Sequence, residues 1–161
     1  LLTHLPNRVL LADRLQHAMV QSQRRHLSLA VAYLDLDGFK PINDKYGHAA
    51  GDHVLTTVAN RLNEAVRVGD TVSRVGGDEF IVLLWGLENL SECDDVLSRL
   101  TASLSRPFSF DGHVLSVTAS IGVSIFPDGT DDCEVLIALA DSAMYRAKLS
   151  GGGTFTYGKE Y

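Results

Sequence analysis

Cysteine is scarce in this chain, with only Cys93 and Cys133 among 161 residues. The two form no CxxC pair and no spacing that suits a metal, so free thiols in a reducing compartment are expected. Positive charge is in deficit: 14 Lys and Arg against 20 Asp and Glu leave a net charge of −6. That balance argues against a broad electrostatic footprint for nucleic acid. An anionic substrate would have to be met by a few placed cations or by metal ions. No apolar run approaches the ~20 residues of a membrane span. Nor does a basic segment followed by an apolar stretch open the chain, so nothing suggests secretion. A cytoplasmic location is expected, either free or as the cytoplasmic part of a membrane-anchored protein. Repeats and low-complexity tracts are missing too, apart from Gly151-Gly152-Gly153.

What is present is the composition of one domain with a proper core, 45% hydrophobic and 21% charged. From the abrupt start at Leu1-Leu2-Thr3 and abrupt end at Tyr161, residues 1–161 are expected to be a single module cut from a longer multidomain protein.

Hydrophobic spacing divides this domain into helices and strands. Val9, Leu10, Ala12, Leu15, Ala18 and Met19, after the turn at Pro6-Asn7, predict a first helix. Leu29 to Leu36 is apolar almost throughout until Asp35, the pattern of a central strand covered on both faces. Val54, Leu55, Val58, Ala59 and Leu62 predict an amphipathic helix entered from Gly51-Asp52. Thr71 to Val75 and Phe80 to Trp85 flank Gly76-Gly77 and predict a hairpin, because such tight turns need φ > 0. A helix is expected over Leu90 to Leu104. Clean alternation from Val114 to Ile125 predicts one long strand, bent at Gly122, with one small polar face. Leu136, Leu139, Ala140, Ala143 and Met144 mark a last helix. The hairpin makes the sheet at least partly antiparallel, so the fold class is α+β.

Asp35 ends a strand that should be buried, where an isolated ionised carboxylate is costly; it should open on a cleft or meet a cation. Asp37 would share its face if the strand continues. Alternatively, both acids only terminate the strand and cap the next turn. Asp78 and Glu79 follow the glycine turn and, taken alone, would read as an ordinary solvated hairpin tip. Together the two clusters make an oxygen-rich site of the kind Mg²⁺ takes, with carboxylates, backbone carbonyls and substrate phosphates as ligands. Two such ions can activate an attacking hydroxyl and stabilise charge on a displaced phosphate. In the segment between the clusters, glycines let backbone amides approach a ligand and Lys40 offers a point charge for phosphate. Asn43 and Asp52 are the right chemical types for guanine: a carboxylate accepts from the N1–H and N2–H₂ donors, and an amide serves the acceptor edge. Asp52 reads equally well as a helix N-cap.

Gly76-Gly77-Asp78-Glu79-Phe80 spells GGDEF, with Asp35-Leu36-Asp37, FKPIND and GHAAGD upstream of it. From Leu2-Thr3-His4-Leu5-Pro6-Asn7-Arg8 to Ala140–Lys148, the chain resembles a GGDEF domain of the diguanylate cyclase family. The resemblance implies a palm like that of adenylyl cyclases, with a ferredoxin-like core: a mostly antiparallel sheet of about five strands wrapped by helices. It implies condensation of two GTP into cyclic di-GMP and pyrophosphate, one GTP on each of two facing domains. Asp35, the Leu36 carbonyl, Asp78 and Glu79 would hold two Mg²⁺ or Mn²⁺ ions, and Asp78 or a metal-bound group would help deprotonate the 3′-hydroxyl. Phe39, Lys40 and Lys148 would support the phosphates, with Lys40 also counted as catalytic. Gly76 and Gly77 would line the substrate site, and Asn43, His48 and Asp52 would hold the nucleoside. A homodimer of GGDEF domains, linked to sensory or phosphodiesterase domains, is the implied assembly.

Arg67-Val68-Gly69-Asp70 matches the RxxD inhibitory site of this family, where cyclic di-GMP would bind. Arg can bond guanine O6 and N7 in a bidentate way and Asp can accept from the other edge; a helix-end ion pair is the plainer reading. One departure is clear. Where the family often reads Lys-x-x-Gly-Arg-Asn, this chain has Lys148-Leu149-Ser150-Gly151-Gly152-Gly153. Losing a charge-assisted bond to phosphate costs ~1.5–3 kcal/mol, so weaker GTP binding is expected. The competing reading is a non-catalytic module that binds GTP or cyclic di-GMP and controls an attached domain such as a phosphodiesterase. A template-using polymerase palm is disfavoured, because an acidic chain offers no groove for nucleic acid.

Overall fold

The computed structural model describes residues 2–127 and 130–159. Asn7 starts the first helix by accepting a hydrogen bond from the Leu10 amide at 3.1 Å, and α1 (Arg8–Arg25) ends where His26 turns left-handed at φ 57°. There follow β1 (Ser28–Asp37), α2 (Phe39–Tyr46), α3 (His48–Ala65), β2 (Thr71–Gly76), β3 (Glu79–Leu87) and α4 (Leu90–Leu104). The chain continues through β4 (Phe108–Phe110), β5 (His113–Leu115), β6 (Thr118–Phe126), α5 (Cys133–Leu149) and β7 (Phe155–Tyr157).

Five strands form one sheet in the order β2-β3-β1-β6-β7. All neighbours are antiparallel except β6 and β7, so β1 sits at the centre between β3 and β6. Its alternation sorts the core into two layers. Ala30, Ala32, Leu34 and Leu36 pack on one face with residues of α3 and α4; Leu29, Val31 and Tyr33 pack on the other with Leu15 and Met19 of α1 and Ala140 and Met144 of α5. Both faces being covered explains the unbroken apolar run in β1. Among the described residues no helix is long and apolar enough to cross a membrane.

Several expectations need correction. The single strand from Val114 to Ile125 is two: β5 pairs with β4 in a separate hairpin and β6 enters the main sheet. The β1–β6 register runs through Gly122 without a shift. A Cβ there would overlap the Ala140 carbonyl and the Met144 amide, so its bareness lets the α5 backbone lie directly on the strand. The small polar face of β6 is thus the seat of α5, and Ser124 Oγ donates to the Leu136 carbonyl at 2.7 Å. The segment after Asp37 contains a helix of its own, α2, which tolerates Pro41 because first-turn amides lack intrahelical acceptors. Finally, α3 starts at His48 with Gly47 as its N-cap, so Asp52 lies inside the helix and does not cap it.

Candidate functional site

Strand pairing brings the two acidic clusters together. Asp35 is the register partner of Glu79, and the Leu36 amide donates to the Asp78 carbonyl at 3.2 Å. Gly77 and Asp78 form the turn between Gly76 and Glu79; only Gly77 of the glycine pair has positive φ, at 29°. Arg74 Nε steadies this turn by donating to the Gly77 carbonyl at 2.9 Å. A Cβ at Gly76 or Gly77 would meet nothing within 4 Å, so the outer side of the turn is open.

Electrostatics at this convergence are unfavourable to the acids. Burial raises the Asp78 carboxyl above its ordinary value, and the adjacent Asp35 charge raises it further. Two facing ionised carboxylates are both acceptors and repel, whereas a protonated Asp78 can donate to Asp35, which raises its pKa further. Glu79 is also raised, first by burial and then by Asp35, Asp141 and Asp78, against a hydrogen bond from Tyr33 Oη at 3.2 Å that lowers it. Tyr33 in turn is pushed up to about 12 by burial and by the Glu79 and Asp141 charges. Asp35 Oδ1 is buried and accepts no hydrogen bond. Such an atom is expensive unless something positive faces it.

Asp37 has the opposite character. It shares the strand face of Asp35, as expected, but it is saturated: Thr118 Oγ1 donates at 2.8 Å, Ser120 Oγ at 2.7 Å and the Gly153 amide at 2.9 Å. Burial would raise its carboxyl, yet these donors and Lys148 outweigh burial and hold it below the ordinary value. Lys148, in the last turn of α5, bridges the two strand acids. Its Nζ lies 3.1 Å from Asp35 Oδ2 and 3.4 Å from Asp37 Oδ1, and both acids raise its pKa against the effect of burial. The glycine tail follows at once. Gly152, at φ 76°, crosses so near Asp37 that an added Cβ would stand 2.6 Å from Oδ2.

Phe39 and Lys40 open α2 directly after Asp37 and Gly38. The nucleoside candidates collect where α2 meets α3. Asn43 Nδ2 and His48 Nδ1 are 3.5 Å apart, and His48 and Asp52 stand one turn apart on α3, both exposed. A side chain at Gly51 would collide with the Asn43 amide and touch the Phe39 ring, so this glycine lets the α2 side chains lie on α3.

The family model for the diguanylate cyclase GGDEF domain matches residues 1–154. The chain belongs to the GGDEF family. It is 42% identical over 157 residues to the bifunctional diguanylate cyclase/cyclic di-GMP phosphodiesterase MucR of Pseudomonas aeruginosa, covering 97% of this chain and 23% of MucR. The crystal structure of the GGDEF domain of YfiN (TpbB) from the same organism superposes with a TM-score of 0.94 at 38% identity, covering 99% of each chain. The GGDEF domain of DgcB from Caulobacter crescentus, solved in complex with c-di-GMP, gives 0.90 at 27% identity, covering 99% of this chain and 94% of that one. Membership puts the domain in cyclic di-GMP metabolism, and the five-stranded palm expected from the sequence is the one found.

The RxxD segment of this GGDEF domain is a closed turn after α3. Asp70, its side chain wholly buried, accepts from the Arg67 amide at 2.9 Å and the Trp85 amide at 3.2 Å. Arg67 Nη2 donates to the Trp85 carbonyl at 2.6 Å and its Nε lies 3.6 Å from Asp70 Oδ2, so the plainer ion pair is present. A cleft of about 710 Å³ lies here, bordered by Arg14, His17, Arg25, Gly69, Asp70 and Trp85. Sequence reasoning did not identify Tyr33, Thr118, Ser120 or Gly153 as part of the acidic site. The polar face of β6 signalled Thr118 and Ser120; nothing local signals that Tyr33 reaches Glu79.

Proposed function

We propose that this GGDEF domain is a diguanylate cyclase that condenses two GTP into cyclic di-GMP. The observation that carries the reading is the Asp35 carboxylate: one oxygen is buried without a partner, beside Asp78 and across the ladder from Glu79. A domain with no use for a cation gains nothing from three mutually repelling acids. The donor set is all oxygen and fits Mg²⁺ or Mn²⁺, held by Asp35, the Leu36 carbonyl, Asp78 and Glu79. Among the described residues no three acidic, His or Cys side chains already converge on one point, so the acids must reorient to share an ion. When bound, the ions would acidify the 3′-hydroxyl and take up charge on the phosphate.

The remaining groups bind and orient. Lys40 and Lys148, with Phe39 and the open backbone at Gly76 and Gly77, take the triphosphate; Asn43, His48 and Asp52 take the guanine nucleoside. In each half-reaction a 3′-hydroxyl would give its proton to Asp78 or on to solvent, and its oxygen would bond to the α-phosphorus of the GTP on the facing domain. The bond from that phosphorus to the β-phosphate bridging oxygen breaks, and pyrophosphate leaves. Two such steps between two GGDEF domains close the ring. Product bound at Arg67 and Asp70 lowers the rate; unchanged product inhibition in Arg67→Ala would remove that part. The domain is read as cytoplasmic and as linked to sensory or phosphodiesterase domains.

Incubation with GTP and Mg²⁺ or Mn²⁺, followed by product chromatography, tests the proposal. Cyclic di-GMP that disappears in Asp35→Ala and Glu79→Ala supports it. GTP binding without product would favour the regulatory reading, to which a 38% identical relative named only as a cyclic di-GMP phosphodiesterase, NbdA of Pseudomonas aeruginosa, gives some weight.

A further inference from the structure

Tyr33 lies two residues before Asp35 on the same face of β1. The residue is only 6% exposed and packs among Val31, Ile81 and Met144 between the sheet and the α1–α5 layer. From that fixed seat its hydroxyl donates to Glu79 Oε1. Among the described residues no other side chain donates to Glu79. Asp35, Asp78 and Asp141 all repel the Glu79 carboxylate. A glutamate under such pressure, with a long side chain, would turn toward solvent unless something held it.

We infer that Tyr33 is a positioning residue, whose hydroxyl commits one oxygen of Glu79 inside the protein and leaves the other for a divalent ion. The inference rests on the proposed metal role of Glu79. The phenol suits the task because its O–H is aimed by a ring locked in the core, so holding Glu79 orders little that folding has not already ordered. A neutral donor also fixes the carboxylate without cancelling its charge, as Lys148 does for Asp35 and Asp37. Partners behind a metal ligand set its orientation, and their loss typically weakens metal binding about 10- to 100-fold.

The test is Mn²⁺ titration followed by electron paramagnetic resonance, in the presence of a GTP analogue with a methylene between the α- and β-phosphates, which cannot release pyrophosphate. Tyr33→Phe keeps the ring and removes only the hydroxyl. Expected is a fall in Mn²⁺ affinity of about 10- to 100-fold. Turnover should recover as Mn²⁺ is raised, and thermal stability should be nearly that of the parent; a merely structural defect would not be repaired by metal. Glu79→Gln separates the two levels of the argument. If Glu79→Gln weakens Mn²⁺ binding but Tyr33→Phe does not, the positioning role is wrong and the metal assignment survives. If neither variant changes Mn²⁺ binding, the assignment of Glu79 as a ligand fails, and the role of Tyr33 with it.

Discussion

Lys148 makes a sign-opposed prediction. In this structure it neutralises Asp35 and Asp37; as a phosphate ligand it must let go of Asp35 when nucleotide and metal arrive. At separations of 3.1 and 3.4 Å the gross attraction per pair is about 1.3 kcal/mol at the dielectric of water and about 5 kcal/mol at an effective value near 20. The Lys148 side chain is 40% exposed, so solvent screening and side-chain entropy leave about 1 kcal/mol per pair. Lys148→Met keeps the aliphatic stem and removes the charge. With that competitor gone, Mn²⁺ alone should bind more tightly by about 1–2 kcal/mol, a factor of roughly 5–30. Binding of Mg²⁺·GTP should instead weaken on the order of 10- to 100-fold, through the lost charge-assisted bond to phosphate. Calorimetry of GTP with Mg²⁺ and paramagnetic resonance of Mn²⁺ alone read the two limbs separately. Mn²⁺ affinity that stays level or falls in the variant would show that Lys148 does not compete with the ion, and the reasoning would be refuted.

Three further outcomes follow from the same geometry. Asp78 has a raised folded pKa, so its ionisation opposes folding once pH rises past the ordinary Asp value of 3.8 and through the folded one. Asp78→Asn should therefore abolish product formation yet raise Tm at pH 7, by up to about 3 °C for ~1 kcal/mol, with the gain shrinking as pH falls toward 3.8 in thermal melts. Gly122→Ala must push the α5 backbone off β6 and should cost ~3 kcal/mol or more, read by urea unfolding; a loss below ~1 kcal/mol would contradict the contact with Ala140 and Met144. Gly152→Arg, although it restores the residue common in the family, requires a side chain at φ 76° pressed against Asp37. It should lower stability by ~1–2 kcal/mol in the same assay without tightening GTP in calorimetry.

The sequence was most legible where a residue's own chemistry forces its neighbours. Leu29 to Leu36 reads as a doubly covered strand and Gly76-Gly77 as the bend of a hairpin beside it, so the pattern already made the meeting of Asp35 with Asp78 and Glu79 a plausible reading, and the strand register bears it out. Legibility failed where tertiary contact overrides local pattern. Alternation runs through Ser116 and Val117 without a break, yet the strand divides there, because Phe108–Leu115 closes on itself as a hairpin against α3, with His53 5.6 Å and 5.2 Å from the Phe108 and Phe110 rings. Nothing in the sequence marks Gly122 as the seat of a helix, a role visible only in three dimensions. Asp52 resembled a cap because the apolar spacing starts at Val54, just after Gly51-Asp52, whereas the helix begins a turn earlier at His48, following α2, which is held by Phe39 and Ile42 packing on the core.

A single face of β1 explains why the site lies where it does. Leu29 and Val31 on that face are core, and Asp35 and Asp37 belong to the candidate site, with Tyr33 between them. The α1–α5 layer covers the first part of the strand and yields to the end of α5, where Lys148 reaches back to the acids. Ionised groups beyond the cover need cations; apolar groups beneath it need none. Only a residue apolar in its body and polar at its tip can occupy the boundary without cost on either side. Tyr33 is such a residue, and its ring position is fixed by the same packing that makes the sheet rigid. The precision of the Glu79 carboxylate therefore derives from the hydrophobic core through one hydroxyl, so repacking Ile81 or Met144 around the ring should shift Mn²⁺ affinity before it measurably shifts the fold.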